Sequence, residues 1–243
     1  MKETGEFYLV KNTTGGSVKD VDAKQGIVIG YFSVFGNKDS DGDIIIPGAF
    51  KKTLQENGPQ STRPRILHLL QHDTWKPLGK PQVLKEDNHG LYFESKIADT
   101  SYGRDTIKLY EAGVLTEHSI GFNVVKREID ESTETTKLIE LKLWEGSTVS
   151  WGANMEALVT GMKSENKEDI LSRLIKKIDA INSAVKGNYT DDTLRQLEIE
   201  LKQLQQIIIS LAEIEKPVST SKTEEPKMSV SDVLSIVKSQ IKL

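Results

Sequence analysis

The 243-residue chain contains no cysteine, so it can form no disulfide, no thiolate metal site and no cysteine nucleophile. It also lacks any apolar run close to the ~18 residues that are needed to cross a bilayer. Its first residues, MKETGEFYLV, do not contain the apolar stretch of a signal peptide. These absences predict a soluble intracellular protein without a membrane partner.

Basic residues are not in excess, because 32 Lys and Arg stand against 36 Asp and Glu. Residues 163–243 are electrically neutral, so the whole formal net charge of -4 lies in the first 162 residues. A protein that binds nucleic acid usually presents a basic face. We therefore expect no nucleic-acid partner.

Two further kinds of motif are missing. The G-x-S-x-G elbow of the α/β-hydrolases does not occur, and neither does a phosphate-binding loop. The acidic segment Asn37–Asp43 suggests a calcium loop, but its twelfth position is Gly48, where an EF-hand needs a bidentate Glu. We expect a tight turn rich in Asp and Asn at this segment. The sequence predicts no metal and no cofactor.

Short alternating or β-branched runs dominate the first 160 residues and are typical of strands. The predicted strands are Gly26–Phe35, Arg65–Gln71, Leu91–Ala98, Ser119–Val125 and Thr136–Trp144. Two helices are predicted between them, at Pro47–Leu54 and at Ser101–Ala112, and Gly113 would cap the second. Asp87–Gly90 predicts a hairpin turn. The pattern predicts a strand-rich α+β domain over residues 1–162, for which a barrel is one option.

The hydrophobic period changes after this domain. Apolar residues recur at alternating spacings of three and four, at Leu171, Leu174, Ile178, Ile181 and Val185 and again at Leu194, Leu197, Leu201, Leu204, Ile208 and Leu211. This coiled-coil-like rhythm predicts a helical hairpin, or two helices that seek a partner, over residues 163–215. Gly187 would end the first helix, and Thr190 or Asp191 would cap the second. Residues 216–228 predict a flexible linker and residues 229–243 a short amphipathic helix.

Two of the four histidines have an ordinary structural interpretation. His89 lies in the predicted hairpin turn, where an exposed side chain is expected. His118 directly precedes Ser119, and neighbouring side chains on a strand point to opposite faces. His118 is therefore not expected to be a base for Ser119. On pattern alone, Ser119 is an ordinary strand serine and Glu145 an ordinary edge charge.

The other two histidines, His68 and His72, share one parity of a predicted strand and are expected to line one face. His68 lies inside an apolar run and is expected to be packed. His72 ends the strand and leads into a predicted loop that contains Pro77 and Gly79. Functional residues are concentrated at strand ends and loops, so His72 is the strongest candidate for chemistry among the four.

Five blocks of sequence occur in order between residues 26 and 160. They are Gly30–Asp39 with Asp41–Asp43 and Pro47–Phe50, Leu69–Asp73 with Pro77–Gly79, Gly90–Phe93, Gly113–Phe122, and Leu143–Val149 with Ala153, Asn154 and Ala157. Each block alone is weak, but together they resemble the prohead proteases of tailed phages. The resemblance covers about the first two thirds of the chain and does not extend to the heptad region.

That family is related in fold to the herpesvirus assemblins. The resemblance therefore implies a herpesvirus-protease-like β-barrel with flanking helices, followed by the helical, coiled-coil-like segment. It implies that Ser119 is the nucleophile and His72 the general base. Glu145 stands where the assemblins have a second histidine, as the third member. The resemblance also implies an oxyanion hole at Ala153 and Asn154.

The same resemblance implies a maturation endopeptidase that works through an acyl-enzyme. Its expected substrates are pro-segments of the major capsid protein or a scaffolding protein, and itself, inside the procapsid in the host bacterial cytoplasm. The helical segment would support self-association or recruit the enzyme to scaffold, unless it packs within the chain. The alternative is a catalytically inactive scaffold or assembly protein built on the same fold.

Overall fold

A computed structural model describes residues 16–39, 42–150 and 167–213. The chain divides into two compact units, Met1–Gly161 and Met162–Leu243. The predicted linker at 216–228 and the predicted helix at 229–243 lie outside the described residues. None of the helices in the described ranges is long and apolar enough to span a membrane.

The first unit is built from strands with two helices between them. The strands are β1 Gly16–Asp22, β2 Ile27–Val34, β3 Asp43–Ile45, β4 Leu67–Leu70, β5 Asp73–Gly79, β6 Pro81–Glu86, β7 Gly90–Lys96, β8 Glu117–Asp130 and β9 Thr135–Val149. The helices are α1 Lys51–Asn57 and α2 Ser101–Glu111. This confirms the predicted mixture of strands and helices and the hairpin turn between β6 and β7.

The strands form one sheet in the order β5-β4-β9-β8-β1-β2-β7-β6, and β3 pairs with β9. The pairs β3–β9 and β4–β9 are parallel, whereas the others are antiparallel. Beyond the end of β7, the Ala98 N–H donates to the carbonyl of Leu78 in β5 at 2.7 Å. That bond brings β5, at one edge of the sheet, close to the end of β7, near the opposite edge. The sheet is therefore a nearly closed barrel.

Aromatic side chains fill the interior of this barrel. The rings of Phe32 and Phe93 are stacked with centroids 3.9 Å apart, and both side chains are fully buried. Gly146 of β9 lies under Phe32, and a Cβ atom at this position would overlap that ring. Gly146 therefore faces the interior, and its neighbours Glu145 and Ser147 point to the opposite face of β9.

Two predictions about the helices and loops of this unit were wrong. Helix α1 begins at Lys51 rather than at Pro47, because Gly48 has φ +95° and the turn before the helix is held by the Glu86 carboxylate. That carboxylate accepts hydrogen bonds from the N–H groups of Gly48 and Phe50, at 3.0 and 2.7 Å. The predicted loop around Pro77 is strand β5, which ends the order of strands, where proline is tolerated.

The second unit contains helices α3 Lys167–Ala184 and α4 Asp191–Glu213, which pack against each other. Gly187 follows α3, and its N–H donates to the Ala184 carbonyl. The hydroxyl of Thr190 accepts the N–H of Thr193 at 3.3 Å, as expected for a cap of α4. The buried seam residues are Leu174, Ile178, Ile181, Leu197, Leu204 and Ile208. The short connection and the packed seam correspond to the hairpin alternative.

Candidate active site

The site is set by the register between β8 and β9. Ser119 lies opposite Ser147 and Gly121 opposite Glu145, whereas His118 lies opposite Thr148. Paired residues point to the same side of the sheet, and neighbours on a strand alternate. One face is therefore shared by Ser119, Ser147, Gly121 and Glu145. His118 and Thr148 are on the other. The prediction that His118 and Ser119 point to opposite faces is confirmed.

His72 reaches that shared face through an unusual turn. Gln71 and His72 follow β4, and both have φ near +56°, a left-handed conformation that is uncommon outside glycine. The turn ends the alternation of the strand, so the prediction that His68 and His72 line one face was wrong. His68 Nε2 contacts Thr148 Oγ1 at 2.8 Å, on the inner side, whereas His72 contacts residues of the opposite face.

The His72 ring is bonded to a carboxylate. Its Nδ1 lies 2.6 Å from Oε1 of Glu145, and the hydroxyl of Ser147 donates to Oε2 of the same carboxylate at 2.6 Å. The backbone N–H of His72 in turn donates to the Ser147 hydroxyl at 3.1 Å. An ionised carboxylate can only accept, so the imidazole carries its proton on Nδ1 and leaves Nε2 as the acceptor.

Two atoms of the site have no hydrogen-bond partner among the described residues. They are Nε2 of His72 and Oγ of Ser119, and both are buried. They are therefore not bonded to each other. Ser119 stands directly opposite Ser147, and such pairs have Cβ atoms about 4.5–5.5 Å apart. The pair Ser119–Ser147 is thus the next cross-strand pair on this face after Gly121–Glu145. The carboxylate of Glu145 is the group that contacts His72. Ala153 and Asn154 lie outside the described residues.

Sequence reasoning missed two residues of this cluster, Ser147 and Gly121. Gly121 lies under the Glu145 carboxylate, and a Cβ atom there would overlap Oε1. Both residues could have been found by parity, because each lies two positions beyond a candidate residue on the same strand and so shares its face. Parity alone does not reveal that the two strands pair in this register.

The remaining histidines are structural. His68 and His118 are fully buried, and the hydroxyl of Tyr110 contacts Nε2 of His118 at 2.8 Å and also contacts Thr148. Burial lowers the pKa of His118 to about 3, and burial together with repulsion from His118 lowers the pKa of His68 well below its usual value. Both rings are therefore neutral at pH 7. His89 is exposed at the hairpin tip, as predicted.

The described residues of the segment Asn37–Asp43 are joined by hydrogen bonds within the segment. The Asp39 carboxylate accepts the N–H of Asp43 at 2.8 Å, and the Gly42 N–H donates to the Asp39 carbonyl at 3.1 Å. These bonds are typical of an Asx-rich turn. Within the ranges that the structure describes, no group of three His, Asp or Glu is placed to hold a metal ion.

Known proteins resemble this chain over the barrel. A family model described as caudovirus prohead serine protease matches residues 16–171. The chain belongs to this family. This confirms the resemblance drawn from the five blocks, and the match covers the barrel and the beginning of α3.

Two curated relatives are both named prohead protease. The one from Enterobacteria phage HK97 is 40% identical over 147 residues, which cover 59% of this chain and 63% of the relative. The one from Escherichia phage T5 is 32% identical over 151 residues, which cover 62% of this chain and 70% of the relative. The chain thus spans less than two thirds of the length of the HK97 protein. No solved structure matches the chain.

Proposed function

We propose that this chain is a serine endopeptidase of phage capsid maturation, with Ser119 as nucleophile, His72 as general base and Glu145 as the acid that orients the base. The observation that carries the proposal is the bond of 2.6 Å between His72 Nδ1 and Glu145 Oε1. It fixes the tautomer in which Nε2 can accept a proton. A carboxylate in this place also stabilises the imidazolium that forms during catalysis.

In the proposed reaction, Ser119 Oγ attacks the carbonyl carbon of the scissile peptide while His72 Nε2 takes the hydroxyl proton. The imidazolium then gives that proton to the leaving amine, so that an acyl-enzyme remains. Water, deprotonated by the same nitrogen, hydrolyses the ester and regenerates the serine. Backbone N–H groups near Ala153 and Asn154 would stabilise the oxyanion. The hydroxyl and the imidazole must approach each other for the first step, and such contacts often tighten only when substrate is bound.

The proposed substrates are pro-segments of the major capsid protein or of a scaffolding protein, within the assembling procapsid in the host cytoplasm. Support comes from the family and from the two relatives named prohead protease. The chain's own linker at 216–228 is a further proposed cleavage region, since proteases act on extended chain. Because the seam of α3 and α4 is buried, self-association or scaffold docking would have to use another face of the helix pair.

The test is co-expression with the capsid protein of the same phage, followed by intact-mass measurement of the products. Wild type is expected to yield shortened capsid protein, and Ser119→Ala only the full-length form, because no acyl-enzyme can form. Ser95→Ala is the matched control. Ser95 lies on β7, and its hydroxyl is also buried and unpartnered among the described residues. Cleavage by Ser119→Ala at the wild-type level would refute the proposed nucleophile.

A second function has one observation in its favour. Ser119 is fully buried and its hydroxyl is not bonded to His72, as expected in an inactive assembly protein built on the same fold. A fluorophosphonate probe separates the two functions. Labelling of wild type but not of Ser119→Ala indicates an enzyme, whereas absence of labelling in the presence of the capsid protein indicates the assembly protein.

A further inference from the structure

Ser147 connects the backbone of the histidine turn to the carboxylate of Glu145. Its hydroxyl donates to Glu145 Oε2 at 2.6 Å and accepts the N–H of His72 at 3.1 Å. The side chain is fully buried. A serine hydroxyl has one proton, and here that proton goes to the carboxylate. Ser147 therefore cannot also donate to Ser119, which lies opposite it and whose hydroxyl has no hydrogen-bond partner among the described residues.

The histidine turn depends on such support. Gln71 and His72 both adopt φ near +56°, which is unfavourable for residues with a Cβ atom and persists only where surrounding contacts require it. The Gln71 N–H donates to the Thr148 carbonyl at 2.8 Å, and the next N–H, that of His72, donates to Ser147. The end of β9 thus holds both residues of the turn, and the second contact is made by a side chain.

Each of the two oxygens of the Glu145 carboxylate has a hydrogen-bond partner. Oε1 is bonded to His72 Nδ1 and lies over Gly121, where no side chain intervenes, while Oε2 is bonded to Ser147. One hydroxyl therefore sets the position of the acid and of the base together. A shift of either group would move Nε2 relative to Ser119.

We propose that Ser147 is a positioning residue of this site, which holds the His72 turn and the Glu145 carboxylate in the arrangement that catalysis needs. The inference rests on the proposed serine protease function. It assigns to Ser147 no contact with substrate. Its removal is expected to lower turnover and to leave substrate affinity nearly unchanged.

The test compares Ser147→Ala with wild type in two measurements. In the first, kcat for a capsid-derived peptide is expected to fall about 10- to 100-fold, with KM within about twofold, because small displacements of catalytic groups cost that much. In the second, the proton NMR resonance of the His72 Nδ1–H bonded to Glu145 is expected far downfield in wild type. It should be lost or markedly shifted in Ser147→Ala. His72→Gln assigns the resonance, and Ser95→Ala should leave both measurements unchanged.

The pair Ser147→Thr and Ser147→Val controls for packing, since the two side chains have the same shape and only threonine keeps the hydroxyl. Threonine is expected to retain the resonance and at least about tenfold more activity than valine. If Ser147→Ala does not fold, the comparison of Ser147→Thr with Ser147→Val still tests whether the hydroxyl positions His72 and Glu145. The NMR measurement needs no turnover, so it still tests Ser147 if the chain proves not to be a protease. An unchanged resonance in Ser147→Ala and Ser147→Val would overturn the inference.

Discussion

At the scale of single residues, the position of the Glu145 carboxylate depends on the absent side chain of Gly121. A methyl group at 121 would overlap Oε1, the oxygen bonded to His72. Gly121→Ala is therefore expected to push the carboxylate away and to lower kcat/KM about 100-fold, measured with a capsid-derived peptide. Gly36→Ala is the control, because it places alanine at φ +80° with no atom within 4 Å of the new carbon. That control should lose stability but keep its activity.

The residues of the candidate site were predictable to different degrees. Ser119, His72 and Glu145 came from the resemblance of sequence blocks, and the structure brings His72 and Glu145 into contact. Ser147 was not found, because its role depends on the register that sets β9 against β8 and β4. The face to which His72 points was predicted wrongly, since no strand pattern indicates two successive left-handed residues. Local patterns specify residue types, whereas these contacts are set by pairing between distant segments.

At the scale of elements, helix α2 is attached to the barrel by the hydroxyl of Tyr110. This hydroxyl contacts His118 of β8 and Thr148 of β9 inside the protein. Tyr110→Phe leaves the buried Nε2 of His118 without that partner, so the free energy of unfolding is expected to fall by about 1–3 kcal/mol. Urea unfolding followed by tryptophan fluorescence measures this, because all three tryptophans belong to the first unit.

A matched control for that prediction lies on the same helix. Tyr102 is only partly buried, and its hydroxyl donates to the Pro77 carbonyl at 3.1 Å. Water can replace that bond in Tyr102→Phe, so a loss below about 1 kcal/mol is expected. Equal losses in the two variants would mean that the network of Tyr110 contributes nothing specific.

Elements with a strong local pattern were predicted well. The predicted bounds of helix α2 agree with the structure within one residue. Strands β2, β4, β7, β8 and β9 all correspond to predicted strands, although β8 and β9 extend further. Strand β5 lies where the sequence predicts a loop, since Pro77 and Gly79 are loop signals and its pairing with β4 is not visible in its own residues. Helix α1 begins later than predicted, because Pro47 is a typical first residue of a helix, whereas Gly48 adopts a positive φ.

At the scale of the whole molecule, two neutral histidines in the barrel couple its stability to pH. The pKa of His118 is lowered to about 3 and that of His68 is also well below its ordinary value, in both cases mainly by burial. In the unfolded chain each imidazole takes up a proton near pH ~6.5. The unfolded state therefore binds more protons than the folded state below that pH, and acidification favours unfolding. The stabilisation is complete above about pH 6.5 and is lost as the pH falls toward the folded pKa values.

This predicts a free energy of unfolding that decreases below about pH 6 by about 1.4 kcal/mol per pH unit for each of the two histidines. The interval from pH 6 to 5 isolates them, because carboxyl groups titrate mainly below it. Urea midpoints of wild type across this interval should therefore shift steeply, and His118→Gln should show about half the slope, whatever its stability at pH 7. His89→Gln, which alters an exposed histidine, should keep the wild-type slope. A slope in His118→Gln equal to that of wild type would show that the His118 imidazole does not stay neutral in the folded barrel.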